Sequence, residues 1–403
     1  RTSTTGSLRI HRVSPDSGIV FPPMPETSLA ELARLFLRLG ATAFGGPAAH
    51  VAMMRDEVVR RRSWMTDAAF LDLLGATNLI PGPNSTEMAI HVGWARRRWA
   101  GLVVAGLAFI LPAALVTAAL AWAYVRYGAL PQARWLLYGV KPVILAVVVE
   151  AIRGLLPLAA RTWPLRALGA AAVVAAALGV HELAVLFGAG ALVIAVRAAG
   201  PRAKGAGDSF GGLAVVPAAA GVAGLSAAAG GATLSSIFWI FCRTGSVLFG
   251  SGYVLLAFLR ADFVERLGWL TEAQLVDAIA AGQVTPGPVF TTATFIGYVL
   301  SGPAGALAAT AGIFLPAFVF VALSAPFVPR LRSSRTASAF LDGVNVASLA
   351  LMAVVTAHLA GAAIVDVPTA LLGALALLLL VRFRLNATWL VVGGSVLGAI
   401  MSP

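Results

Sequence analysis

Runs of about 18 residues without a charged side chain recur along this 403-residue chain, broken by short clusters of arginine. Such a chain must satisfy its backbone polar groups internally. A soluble domain carries roughly 25% charged residues; this one carries 11%, with 59% hydrophobic residues and a mean hydropathy of +0.88. The pattern predicts an all-α polytopic membrane protein. The formal charge of +12 lies in arginine clusters between apolar runs, as expected of cytoplasmic anchors rather than a nucleic-acid surface. One cysteine, Cys242, excludes an internal disulfide. The five histidines show no HxxxH or HExxH spacing, so no metal site and no cofactor is expected. No GxxxxGK[ST] loop and no nucleophile or acid–base cluster is present, which argues against an ATPase or another enzyme.

The chain is written twice. FLRLGATAFGG (36–46) lines up with FCRTGSVLFGS (241–251) at a shift of 205 residues. The same shift pairs Trp64 with Trp269, Thr66 with Thr271, Asp72 with Asp277, and Pro81-Gly82-Pro83 with Pro286-Gly287-Pro288. Beyond it the shift becomes 204, pairing Gly93 with Gly297, Pro112 with Pro316 and Gly139 with Gly343. The expected division is a disordered cytoplasmic tail (1–28), a first repeat (29–199), a linker with one connecting transmembrane helix (200–231) and a second repeat (232–403). Six apolar segments are expected in each repeat: 30–50, 68–95, 99–125, 135–158, 165–180 and 182–197, then 233–258, 273–299, 304–328, 340–363, 367–381 and 387–402.

Charge predicts orientation. Arg96-Arg97-Arg98 matches the uncharged Ser301-Gly302-Pro303, whereas the loop with Arg330, Arg332 and Arg335 matches one holding Arg126 and Arg134. With basic loops inside, the repeats insert in opposite directions, the N-terminus cytoplasmic and the C-terminus periplasmic. Inverted repeats mark secondary transporters. One conflict stands: if segments 30–50 and 68–95 each cross fully, Arg55, Arg60, Arg61 and Arg62 lie outside; if both are re-entrant, they lie inside.

Pro-Gly-Pro within an apolar segment cannot stay helical. Two half-helices meeting at a break are expected at each copy, with N-termini offering free N–H groups to an anion. Candidate ligands there are Asn78, Gly82, Asn84, Ser85 and Thr86 in one repeat, and Gln283, Thr285, Gly287, Thr291 and Thr292 in the other. Arg38 and Arg243 stand at one repeat position inside apolar segments, where a charge needs a partner. They are candidates to neutralise an oxyanion, or else pair with a carboxylate. Gly45, Gly46, Gly250, Ser251 and Gly252 would let backbone approach a ligand or let helices pack. Lys141, opposite Asn345 in the repeat, is a substrate ligand or an interfacial anchor. Glu87 is the first candidate proton carrier, since the second repeat has Thr there; Asp72 and Asp277 are further candidates or partners to arginine. His50 and His91 titrate or simply pack.

These stretches, FGGPAAHV with NLIPGPNSTEMAIHVGW and FGSGYVLLAFL with GQVTPGPVFTTATFIGY, resemble the chromate ion transporter family in its long two-domain form, over residues 28–402. The resemblance implies export of chromate across the bacterial inner membrane, giving chromate resistance, driven by the proton gradient or membrane potential, with sulfate as competitor. FGSG in place of FGGP and PGPV in place of PGPN make the two half-sites unequal. The residues alone leave open a sulfate or other oxyanion permease and a passive anion channel. The expected partners are the oxyanion and the bilayer, with homodimer formation left open and no nucleic acid.

Overall fold

A computed structural model describes residues 27–43, 46–77, 80–128, 131–199, 232–249, 254–325, 335–383, 385 and 387–401. The expected tail (but for its last two residues) and the linker helix lie outside them, as do Gly45, Asn78, Gly250, Ser251 and Gly252.

The described regular structure is helical. The first repeat contributes α1 (Leu29–Thr42), α2 (Gly46–Arg55), α3 (Asp67–Thr77), α4 (Asn84–Tyr127), α5 (Pro131–Ala159), α6 (Trp163–Ala177) and α7 (Glu182–Ala199). The second contributes α8 (Leu234–Val247), α9 (Leu255–Leu259), α10 (Glu272–Val284), α11 (Thr292–Ser324), α12 (Arg335–Ala363), α13 (Val367–Phe383) and α14 (Ala387–Met401). Three stretches among the described residues are long and apolar enough to cross a membrane: Asn84–Tyr127, Val289–Ser324 and Ser338–Ala363. The helices start where sequence chemistry says they should. Ser28 and Thr233, equivalent positions, accept the Glu31 and Ser236 amides at 3.1 and 3.2 Å. Thr271 and Gln274 form a capping box on α10.

Segments 30–50 and 233–258 are each two helices rather than one. α2 runs on through a π-helical turn, Asp56–Arg61, and α9 through its equivalent, Arg260–Arg266. In the first repeat both helix pairs fold back on themselves. Arg62 at the end of the π turn bonds Glu31 in the first turn of α1 at 2.6 Å. Arg96 bonds Thr27 at 2.6 Å and the Trp64 carbonyl, just before α3, at 3.4 Å. The beginnings and ends of both pairs therefore share one place, and α1–α2 and α3–α4 each run in and return. α4 is itself bent double. Arg97 and Arg98 leave helical geometry, Arg98 at φ 48°, and a Cβ on Gly93 would collide with the Gly101 carbonyl. Ser301 and Gly302 (φ 60°) make the same corner in α11, where Gly297 meets Gly305. The first arm of α4, 84–96, spans about 20 Å by helical rise, too short to cross a hydrocarbon core of roughly 30 Å.

The remaining helices are exchanged between repeats. α5 packs along α13 and α14, and α12 along α6 and α7. Glycines carry these crossings: a Cβ on Gly139 would strike the Gly394 backbone, and one on Gly343 the Ala189 carbonyl. Polar ties follow the same plan. Tyr138 of α5 donates to Asp366 at 2.6 Å, and Asp342 of α12, its repeat equivalent, accepts from Arg161 at 2.7 Å and Arg197 at 2.5 Å. One core cluster, with Phe241, Phe263, Phe290 and Phe314, joins the exchanged helices to the second repeat. A smaller one, with Phe36, Phe70, Met88 and Phe109, holds the first repeat's folded-back pairs together.

Candidate functional site

The tips of the folded-back pairs converge. Gly82, in the first Pro-Gly-Pro, donates its N–H to the Leu248 carbonyl at the end of α8, 2.7 Å away. Gly287, in the second, donates to the Ala43 carbonyl at the end of α1, 2.9 Å away. Ala43 and Leu248 are repeat equivalents, so the two bonds form a symmetric pair of clamps, each from one repeat to the other. Both glycines have left-handed backbone, φ 139° and 93°. The α4 N-terminus and the 3₁₀ turn that leads into α11 (Val289–Thr291) start directly after these breaks.

Side chains make the breaks unequal. Around the second lie hydroxyls: Thr117 of α4 donates toward Thr285 (3.3 Å) and Thr291 (3.2 Å), and Thr292 bonds the Val289 carbonyl at 2.9 Å. All four threonines are buried. Gln283 is half-buried nearby, its Nε2 without a partner among the described residues. Around the first lie titratable groups. Glu87 and His91, one turn apart on α4, are fully buried, with neither carboxylate oxygen and neither ring nitrogen bonded to a described group. His50 of α2 reaches the Ala43 carbonyl with Nε2 at 3.0 Å and Ser85 with Nδ1 at 3.3 Å. Thr86 is buried beside Ser85, and Asn84 opens the helix. The repeat equivalents of His50 and Ser85 are Leu255 and Phe290.

Both candidate arginines hold carboxylates of their own repeat. Arg38 pairs with Glu57 and Arg243 with Asp262, at equivalent positions, and each acid lies in the π-helical turn. Glu57 also meets Arg61 at 3.1 Å and Arg62 at 3.5 Å; Asp262 also meets Arg266 at 3.0 Å. Arg38 lines an open cleft of about 480 Å³ with Thr42, Met53, Asp56 and Arg61. Each acid keeps an arginine if the first is removed, so both alanine variants should fold. Arg243, with 22% of its side chain exposed against 51% for Arg38, holds the drier pair. Arg243→Ala should cost about 1–3 kcal/mol and Arg38→Ala under about 1 kcal/mol, read as thermal stability in detergent. Equal losses would contradict this ordering.

Lys141 is tied to the other repeat. Its Nζ lies 3.2 Å from Asp277 of α10, which also accepts from Tyr124 at 3.0 Å. Asn345, the repeat equivalent of Lys141, carries no charge and so cannot form the same ion pair. Asp72 lies on α3. Gly46 begins α2. Thr117, Tyr124 and the Ala43 and Leu248 carbonyls escape the sequence reading. Thr117 alone leaves a trace there, as a hydroxyl facing Val321 in the repeat alignment.

Long apolar helices, folded-back pairs and buried polar tips define an all-α membrane protein. The family model described as "Chromate transporter" matches residues 30–194 and again 235–399, so the chain belongs to the chromate transporter family. It is 33% identical to a chromate transport protein of Cupriavidus metallidurans, over 94% of each chain. It is 32% identical to one of Pseudomonas aeruginosa, over 95% of this chain and 94% of the other. A probable chromate transport protein of Synechococcus elongatus is 32% identical, over 90% and 92%. No solved structure matches the chain.

Proposed function

We propose that this protein is a secondary transporter that exports chromate from the cytoplasm across the bacterial inner membrane and so confers resistance to it. The observation that carries the reading is the pair of clamps. Two helix N-termini, buried at the meeting of two repeats, offer backbone donors and hydroxyls to a tetrahedral dianion. The breaking of one clamp at a time gives a route to alternating access. In this reading the repeats insert in opposite senses. The first repeat's pairs open to the face that holds Arg62 and Arg96, which the positive-inside rule makes cytoplasmic. Arg55, Arg60 and Arg61 then also lie inside. The membrane potential favours exit of a dianion by about 4.6 kcal/mol per 100 mV, at about 2.3 per charge. Asn84, Ser85, Thr86, Thr285, Thr291 and Thr292 are the substrate ligands we propose, with Glu87 as the proton carrier and sulfate as the competing anion.

Inside-out vesicles test this. Saturable chromate accumulation, suppressed by excess sulfate and by a protonophore, is the expected result. Sulfate flux without chromate flux would make the protein a permease for other oxyanions, and flux that never saturates would make it a channel.

A further inference from the structure

The first break holds a buried acid where the second has Thr292. Glu87 sits in the first turn of α4, and a Cβ on Gly82 would collide with its Oε1, so the carboxylate is folded back over the Pro-Gly-Pro. It is fully buried and bonds no described group. That is the place where a half-helix N-terminus would hold an anion. A carboxylate has the charge and oxygens of part of an oxyanion, and both cannot stand there at once.

Resting on the transport reading above, we propose that Glu87 is a tethered stand-in for the substrate: its carboxylate and the transported oxyanion exclude one another at the first break, and this exchange couples anion to proton. When the anion arrives, the displaced side chain stays in the protein interior. A bare charge is costly there, so it takes up a proton from the open side. When the anion leaves on the other side, the carboxylate returns and gives the proton up. The proton is released on the side where the anion leaves, so proton and anion move in the same direction.

The surroundings suit one proton site. His91 is the next turn of the same helix, and His50 reaches the break from α2 through Ser85. α11 brings Ala317 against Gly82, and α3 packs Phe70, Leu73 and Ala76 against the other face of α4. At the second break the Thr292 hydroxyl already donates to the Val289 carbonyl and holds no exchangeable charge.

The test uses the full-length protein in liposomes at alkaline pH, where chromate is the dianion, with a pH dye in the lumen. As chromate enters, the lumen should turn acidic. In Glu87→Gln, accumulation driven by an imposed pH gradient should fall by about tenfold or more, while chromate–chromate exchange persists. Chromate entry with an unchanged or alkalinising lumen overturns the proposal, and so does a Glu87→Gln protein that still accumulates chromate with the gradient. The lumen measurement needs no variant, so a misfolded Glu87→Gln leaves it decisive. Wild type that moves no chromate removes the transport reading itself, and this proposal with it.

Discussion

Gly287→Ala is expected to abolish chromate movement and to destabilise the protein by about 2–4 kcal/mol, read as flux in vesicles and as unfolding in detergent. Two costs combine. The residue sits at φ 93°, where an L side chain is strained. Its Cβ would also stand 2.8 Å from the Gly40 carbonyl and 2.9 Å from Ala113 Cβ, neither of which is the free end of a side chain. The substitution therefore pushes α1 and α4 away from the break and pulls the Gly287 amide off the Ala43 carbonyl. Gly82→Ala is the informative control. It is strained too, at φ 139°, but its Cβ meets the flexible end of Glu87. That variant should be the more stable of the two, with its transport altered through Glu87. Wild-type flux from Gly287→Ala would remove the clamps from the mechanism.

Asp277→Ala should cost about 3–5 kcal/mol, because it leaves the Lys141 ammonium buried without its counter-ion. Asp277 is 5% exposed and Lys141 18%, and Tyr124 loses its acceptor as well. The double variant Lys141→Met with Asp277→Leu should recover most of that loss, since a buried ion pair replaced by packed apolar groups is often neutral. A double variant as unstable as the sum of the single ones would mean that the two charges act independently. Because the pair joins α5 to α10, its loss should loosen the contact between repeats before it affects either break.

Much of this was legible in the sequence, for identifiable reasons. Pro-Gly-Pro at matched positions locates both breaks, because proline and glycine constrain the backbone wherever they stand. The unequal chemistry of the two breaks follows from Glu87 against Thr292. The folded-back pairs were left open, because hydropathy is the same for a helix that crosses and one that returns. Tight corners at Arg97-Arg98 and Ser301-Gly302 decide it, and a loop with arginines looks alike in either case. The clamps were out of reach because their acceptors are carbonyls of Ala43 and Leu248, residues whose side chains carry no polar signal. Arg38 and Arg243 were found by position, but a membrane arginine does not announce whether its partner is a substrate or, as here, an acid one helix away.

The exchange of α5 and α12 has a consequence for how the protein is made. When synthesis has reached residue 199, α6 and α7 lack the helix they pack against, and α5 lacks its partners α12, α13 and α14. Their partners come only with the second repeat, so the last helices made complete the first half. Two half-length chains, supplied separately, would assemble the same structure only by exchanging these helices with each other.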